Sequence, residues 1–547
     1  MKSFVQFIRS RRGIVYIGLS MIFLLLTNIA SLNFKSHEKP GFTYTGANPY
    51  AAADKLVYLS MIEQGREGIL FMKNLHTVDP QIGLLLSPHW YLIGQTALLL
   101  DITNAGAYLL YRLLFAILFL WLLYVFLGKF FESDGQFFSA AGFILFSAGL
   151  GWLFVAIHPE LLGALNTTMK FFYLPVDVYV TEGFTLLNFS QSPLFEASQL
   201  LLLFIGFAVV ALDNRKPGMQ DAGLSILAAF LIIMHPYDLP ILLAALGTWA
   251  VARASQTSSY TPLIRVACIA AGCAAAALFN AYAIAREPVL QGWYEQNLVY
   301  SPHLSRYLWG YGMLMPLWVI GAIDIVLKKR NDRWWLFALA WSASIWLLLY
   351  LPLNVNRRFV NGWHIVLALV AYNGFRWLLS KSRQWIKILL ASVVWVGLLS
   401  SLTLFLIINL YFDPSIYSYG YYYYTDAERH AAEFLRENTA QNANVLVSDA
   451  KTAFSISAQV PRAVFRGHDH QTPNALLRQQ QLDWFLADQN TVSAFSRKQK
   501  FLQEQDISII IINSSRLFES PRWIPNAPFL QEVYRSGELT VYRVVAS

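Results

Sequence analysis

Runs of about twenty apolar residues recur along this chain from residue 13 to residue 411, and they constrain its fold more than any other feature. Each is long enough to cross the roughly 30 Å hydrocarbon core of a bilayer as a helix. They fall near residues 13–32, 104–128, 137–157, 193–212, 221–235, 238–254, 262–285, 309–328, 334–352, 359–379 and 387–411. This predicts a polytopic α-helical membrane protein of about eleven transmembrane helices. Composition points the same way: 56% of the 547 residues are hydrophobic and 14% are charged, against about 25% charged in soluble domains. Aromatic residues reach 15%, with 17 Trp and 28 Tyr, which suits interfacial belts and sugar-stacking surfaces alike. Much of the formal charge of +8 sits in short loops between apolar runs and needs no nucleic acid partner to explain it. Cys268 and Cys273 share one apolar run, so no disulfide braces the C-terminal region.

Lys2, Arg9, Arg11 and Arg12 precede the first run, with no acid among them. That run is longer than a secretory signal needs and no A-x-A-like site closes it, so it reads as a retained helix with a cytoplasmic N-terminus. The stretch 84–100, which contains Ser87, Pro88 and His89, sets the orientation of everything after it. Counted as a full span, it puts Arg215, Lys216, Lys328, Lys329, Arg330, Lys381, Arg383 and Lys387 outside. Read as a re-entrant or surface helix, it puts them all inside, as the positive-inside bias requires. The outer loops are then 33–103, 158–192, 236–237, 286–308 and 353–358.

Hydropathy collapses after Tyr411, which predicts two domains. Residues 1–411 form the transmembrane domain, with juxtamembrane helices in its long first outer loop at 33–103, and residues 412–547 form a small extracytoplasmic α/β domain. In the latter, Thr425 and Glu428 make a capping box that opens a helix running to about residue 438. Residues 444–448, 462–466 and 507–512 read as strands, and 473–487 and 490–505 as helices. The tyrosine-rich stretch 417–424 reads as an aromatic belt where the last helix leaves the bilayer, with sugar stacking as the other reading. The setting implied is a multi-pass protein of the plasma or inner cell membrane.

Polar chemistry collects on the outer side of this topology. Residues 51–64 read as a helix with Asp54 and Tyr58 four apart on one face. Asp54 is either a solvent-facing acid on an interfacial helix or a general base held in an apolar rim. Arg357 and Arg358 occupy a very short outer loop, where the positive-inside bias disfavours them. They either snorkel to headgroups or clamp a phosphate or pyrophosphate, which the fork geometry of arginine suits. Asp177 and Glu182 either solvate their loop or bind sugar hydroxyls. His235, in the sequence HPYD, is either a satisfied interfacial histidine or a substrate ligand. No His or carboxylate run has metal spacing, and no G-x-G-x-x-G or Walker A sequence occurs. No metal site and no certain cofactor are therefore predicted, with a divalent cation left open.

Taken in order, these features resemble the GT-C class of integral membrane glycosyltransferases. The features are an acid near the start of the first outer loop with D-x-x-x-Y at Asp54 and Tyr58, SPHWYLIG in the short helix that follows, and Tyr111, Arg112 and Leu113 opening the next span. The loop around Glu182 with Ser192 and Pro193 after it, the HPYD turn, the outer-loop arginines and the C-terminal α/β domain complete the order. The chain is similar to bacterial and archaeal relatives of dolichyl-phosphate-mannose protein mannosyltransferases. The resemblance implies a hexosyl- or pentosyltransferase that takes a sugar from a polyprenyl-phosphate donor and gives it, with inversion, to an extracytoplasmic glycan, lipid or protein acceptor. It implies Asp54 as the general base, Arg357 and Arg358 at the lipid phosphate, and Tyr58, Asp177, Glu182 and His235 around the substrate, among membrane lipids. The chain departs from many members in lacking an adjacent acidic pair, because Lys55 follows Asp54. Glu38, Glu63 and Asp79 therefore stand as alternative bases. A transporter or flippase of lipid-linked sugars, and a non-catalytic assembly protein descended from such an enzyme, are the other readings.

Overall fold

The computed structural model describes residues 10–50, 52–161, 173–410, 419–488, 491–517 and 521–545. Contacts divide the chain into two compact units that alternate along the sequence. The first holds Met1–Ala30, Tyr111–Asn280 and Leu298–Phe412; the second holds Ser31–Leu110, Ala281–Asn297 and Asp413–Ser547. The break after Phe412 falls where hydropathy collapses, but the compact unit that contains the C-terminal region also takes in the whole of the first outer loop, 33–103.

A helix stands at each apolar run, from Arg11–Ser36 to Gln384–Leu410. Among the described residues, four are long and apolar enough to cross a membrane unbroken: Arg11–Ser36, Asn104–Leu127, Pro193–Ala211 and Thr261–Arg286. The number rises to six if each of two bent pairs is one span. Those pairs differ from the continuous spans expected at 137–157 and 309–328. Asp134–Phe146 and Gly151–Ile157 meet at 46°, and Leu304–Tyr311 and Leu314–Lys329 meet at 87°. One contact in the first unit accounts for both breaks. The Leu150 amide donates to the Trp309 carbonyl at 2.8 Å, and a Cβ on Gly149 would lie 1.9 Å from the Gly310 carbonyl oxygen. Gly312, at φ +45°, then turns the chain where an L side chain would be strained. Elsewhere in this unit Leu314–Asp324 packs on Trp363–Lys381 through Gly321 and Gly374, whose missing Cβ atoms let the two backbones touch.

Polar contacts at the helix ends of the first unit fall into two groups. In one, Arg12 meets Asp134 at 2.5 Å, Arg265 meets Asp221 at 2.5 Å and the Leu212 carbonyl at 2.6 Å, and Gln256 donates to the Arg330 carbonyl at 2.8 Å. In the other, the Val299 amide donates to the Asn354 carbonyl at 2.6 Å and the Arg357 amide to the Val299 carbonyl at 3.2 Å, while Arg358 meets Glu182 at 3.2 Å and Asn361 meets Asp238 at 2.9 Å. The first group joins residues in or at the borders of segments that the sequence reading puts inside, and the second residues in or at the borders of segments it puts outside. Arg12, just before the first apolar run, thus meets Asp134, just after the run 104–128, within this unit. The helix at 84–100 is Pro88–Leu99, 12 residues, or about 18 Å, which falls well short of a roughly 30 Å core.

Among the described residues the second unit contains three small sheets. Strand β1 (Phe42–Tyr44) pairs antiparallel with β4 (Tyr423–Thr425), and β2 (Phe71–Met72) with β3 (Leu85–Leu86). The third sheet has the order β5 (Asn444–Val447), β6 (Ile507–Asn513), β8 (Leu539–Val544), β7 (Leu530–Ser536); β5 and β6 run parallel and the other pairs antiparallel. Both faces are covered. Ile510 and Ile512 point into a core with Phe485 and Trp523, and Ile509 and Ile511 into one with Leu435 and Ile456. That is why β6 reads as an unbroken isoleucine run rather than an alternation. The capping box forms as expected, with the Glu428 amide donating to Thr425 Oγ1 at 3.1 Å and the Thr425 amide to Glu428 Oε2 at 3.0 Å.

Two expectations in this unit are corrected. Residues 462–466 form only an isolated bridge between Val464 and Val445: Val445 bonds Ala463 and Phe465, but the next amide that could extend the ladder, that of Gly467, donates to Thr472 Oγ1 instead. Tyr422, Tyr423 and Tyr424 are buried, and the last two lie in β4, so they are not an interfacial belt. Residues 417 and 418 of that stretch lie outside the described residues. Helix Ala52–Arg66, which carries Asp54, packs on Pro88–Leu99 where Gly65 and Gly94 leave no room for a Cβ against the facing backbone.

Candidate functional site

In the second unit Asp54 sits in the first turn of helix Ala52–Arg66, its side chain 44% exposed. Its Oδ1 lies 3.0 Å from Nε2 of His468. The His470 amide donates to His468 Nδ1 at 3.1 Å. Nδ1 is thereby fixed as an acceptor, so Nε2 carries the proton and donates it to Asp54. The His468 ring is wedged edge-on against Phe454 and beside His76, with centroids 5.6 and 6.3 Å away. His76 is itself buried, and burial, with the neighbouring His468 adding to it, holds its imidazole down to about 3. It therefore stays neutral at physiological pH. Gly467 must be glycine, since a Cβ there would sit 2.4 Å from His76 Nδ1. Ala53 and His468 both line a cavity of about 890 Å³ in this unit.

The alternative acids are engaged otherwise. Glu63 is buried and paired with Arg436 at 2.8 Å, and Asp79 pairs with Arg478. Glu38 meets Lys35 at 2.7 Å and accepts the Tyr44 amide at 2.9 Å. Burial raises the Glu38 carboxyl, but those two contacts outweigh it and leave the group below its ordinary range. Lys55 points away from the dyad, its Nζ over the Tyr108 ring. Tyr58 stacks on Trp90 with ring centroids 4.8 Å apart.

The other candidates lie in the first unit. Glu182 and Arg358 form an ion pair at 3.2 Å, and the Arg358 guanidinium also covers the Tyr237 ring at 4.9 Å. Arg357 turns to Tyr179, its guanidinium 5.4 Å from the ring centre. Burial pushes the Tyr179 phenol up, opposed by Arg357 and by Arg306. Among the described residues neither Arg357 nor Arg306 has a carboxylate within ion-pair distance, although the Glu182 charge also acts on the Tyr179 phenol. Asp177 Oδ2 accepts the Gly151 amide at 2.9 Å, which anchors the start of a helix. His235 Nδ1 is 3.0 Å from Asp238 Oδ1. From Asp238 a buried network runs through Ser198 at 2.5 Å and Asn361 at 2.9 Å to Gln199, whose amide reaches the Glu182 carbonyl at 3.4 Å.

Asp54 and Tyr58 thus belong to the second unit, and Asp177, Glu182, His235, Arg357 and Arg358 to the first. Sequence reading missed His468. The only signal was the polar knot His468, Asp469 and His470 just before Pro473. Among the described residues no three His, Cys, Asp or Glu gather in metal-holding geometry.

No protein-family model and no curated protein matches this chain. Solved structures similar to it include two of the Archaeoglobus fulgidus oligosaccharyltransferase. The one complexed with Zn and sulfate is 12% identical with a TM-score of 0.45, over 90% of this chain and 68% of that one. The one tethered with an acceptor peptide containing the NVT sequon is 13% identical with a TM-score of 0.40, over 89% and 68%.

Proposed function

We propose that this chain is a membrane glycosyltransferase of the GT-C kind that moves a sugar from a polyprenyl-phosphate carrier to an acceptor outside the cytoplasm, with inversion. The observation that carries this reading is the state of Asp54. Among the acids the sequence offers as a base, Asp54 stands in the first turn of its helix with its side chain 44% exposed, and a histidine N–H that lines a large cavity orients one of its oxygens. A carboxylate oriented in that way is suited to general-base work.

In the proposed reaction Asp54 takes the proton of an acceptor hydroxyl. The freed oxygen bonds to the anomeric carbon as the bond from that carbon to the carrier phosphate breaks. The electron pair leaves with the polyprenyl phosphate, and a single displacement inverts the centre. His468 orients Asp54 as a donor and is not a proton relay, because its Nδ1 already accepts the His470 amide. In the first unit Arg357, which among the described residues has no carboxylate within ion-pair distance, is assigned to the phosphate, where its planar fork stabilises developing charge. Glu182 and His235 are assigned to the donor sugar, and Asp177 and Arg358 to holding the loops. In the second, Tyr58 with Trp90 forms an aromatic wall one helical turn from Asp54. No step is routed through a divalent cation.

The test is donor consumption by the purified chain in detergent, where translocation has no meaning. Release of polyprenyl phosphate from a lipid-linked hexose or pentose is expected. A chain that leaves every such donor intact refutes transfer and favours a transporter or an assembly role.

A further inference from the structure

The cavity beside Asp54 has a volume of about 890 Å³, within the range of pockets that enclose a ligand of several rings, roughly 300–1,000 Å³. Ala53 and His468 are both part of its wall, so it opens beside the dyad. Its charges balance: Lys451, Arg466 and Arg516 are offset by Asp449, Asp469 and Glu538. A phosphate site needs a surplus of cations and a metal site a surplus of acids, and this wall has neither. Much of the charge is already paired within the wall, Arg466 bonding Asp469 at 2.7 Å and Arg516 standing 4.0 Å from the Asp449 carboxylate. Between these groups stand aromatic faces from Phe42, Tyr421 and Phe454, and the hydroxyls of Thr425 and Ser515. Lys451 Nζ lies 5.8 Å from the Tyr421 ring centre, and Asp469, Arg466 and Arg516 all act on the Tyr421 phenol, which burial pushes up. Among the described residues that line the cavity there is no Leu, Ile, Val or Met, so nothing in the wall offers an aliphatic pocket for a peptide side chain or a lipid tail.

A neutral wall of interleaved donors and acceptors with aromatic faces matches one ligand class above others. A sugar ring offers hydroxyls that both donate and accept, and C–H faces that stack on aromatic rings. We infer that this cavity binds the acceptor, and that the acceptor is an oligosaccharide whose reacting hydroxyl is presented to Asp54. Tyr421 supplies a stacking face and Lys451 a donor beside it. The inference rests on the glycosyltransferase reading for the word acceptor, and on the cavity alone for the ligand class.

The experiment is binding of the purified full chain in detergent to a printed array of neutral, uronic-acid and phosphate-bearing oligosaccharides, with hydroxyl-containing peptides alongside. Signal is expected on oligosaccharides, neutral ones included, and at least a tenfold loss of affinity in Tyr421→Ala and in Lys451→Met. Both side chains are only partly buried, so both variants are expected to melt as the parent does. Signal confined to peptides or to phosphate-bearing ligands, no signal on any saccharide, or affinity unchanged in both variants would each overturn the inference. Because the array reads binding without transfer, a chain that binds saccharides but consumes no lipid-linked donor sinks the enzymatic reading alone. One that consumes donor but ignores the array sinks this inference alone.

Discussion

Arg357 and Arg358 are neighbours in sequence, yet their substitution by alanine should have opposite consequences. Arg358 is paired with Glu182 at 3.2 Å, and the Glu182 side chain is only 8% exposed. Removing one partner of a buried pair strands the other charge and costs about 3–5 kcal/mol. The Arg358 side chain is 21% exposed, so water enters the vacated space, and the expected loss is reduced to about 2 kcal/mol. Among the described residues Arg357 makes no such pair. Its truncation forfeits the contact with Tyr179, worth about 0.5–1 kcal/mol at a partly exposed site. In melting of the purified protein by tryptophan fluorescence, Arg358→Ala should fall by several degrees and Arg357→Ala by about one or two. Adding Glu182→Ala to Arg358→Ala should restore much of the loss, because the stranded carboxylate is gone. Donor affinity should follow the reverse order, with Arg357→Ala the weaker binder by tenfold or more. Equal melting losses for the two single variants, or no recovery in the double variant, would refute the reasoning.

Further outcomes follow from the same contacts. His76 protonates near its ordinary 6.5 when unfolded but only at about 3 when folded, so its contribution is intact above pH 6.5 and is lost as pH falls toward 3. At pH 5 the loss is about 2 kcal/mol, and His76→Leu should abolish this part of the difference in melting midpoint between pH 7 and pH 5; a wild-type and variant gap that does not change with pH contradicts it. His468→Phe removes a donor to a carboxylate and should lower kcat/KM about tenfold, with His468→Gln recovering part of it; indistinguishable Phe and Gln variants would deny His468 a positioning role. With Cys268 and Cys273 changed to alanine, Ser133→Cys and Ser259→Cys should label from one side of sealed vesicles and Ser301→Cys from the other. Labelling of Ser133→Cys and Ser301→Cys from the same side would break the topology.

What the sequence disclosed, and what it hid, follows from how local each feature is. The apolar runs are local, and a helix stands at each. The Thr425 and Glu428 box spans one helical turn and was equally legible. The breaks near Gly149 and Gly312 were not, since they depend on backbones meeting from distant parts of the chain. Residues 462–466 hold a short apolar run as a buried strand would, but the Gly467 amide that would extend the ladder is taken by Thr472 Oγ1. Asp54 was visible as an acid on a helix, but its partner His468 is 414 positions away. The difference between Arg357 and Arg358 was invisible for the same reason, because Glu182 and Tyr179 decide it.

The central claim is that Asp54 removes the acceptor proton, and single-turnover transfer from a polyprenyl-phosphate sugar tests it most directly. Asp54→Asn keeps the shape and an acceptor oxygen for His468 but removes the base. It should bind donor like the parent and lose at least a hundredfold in the rate of product formation, in keeping with what a positioned base contributes, about 10²–10⁴-fold. Product formation at the parental rate in Asp54→Asn would contradict the account.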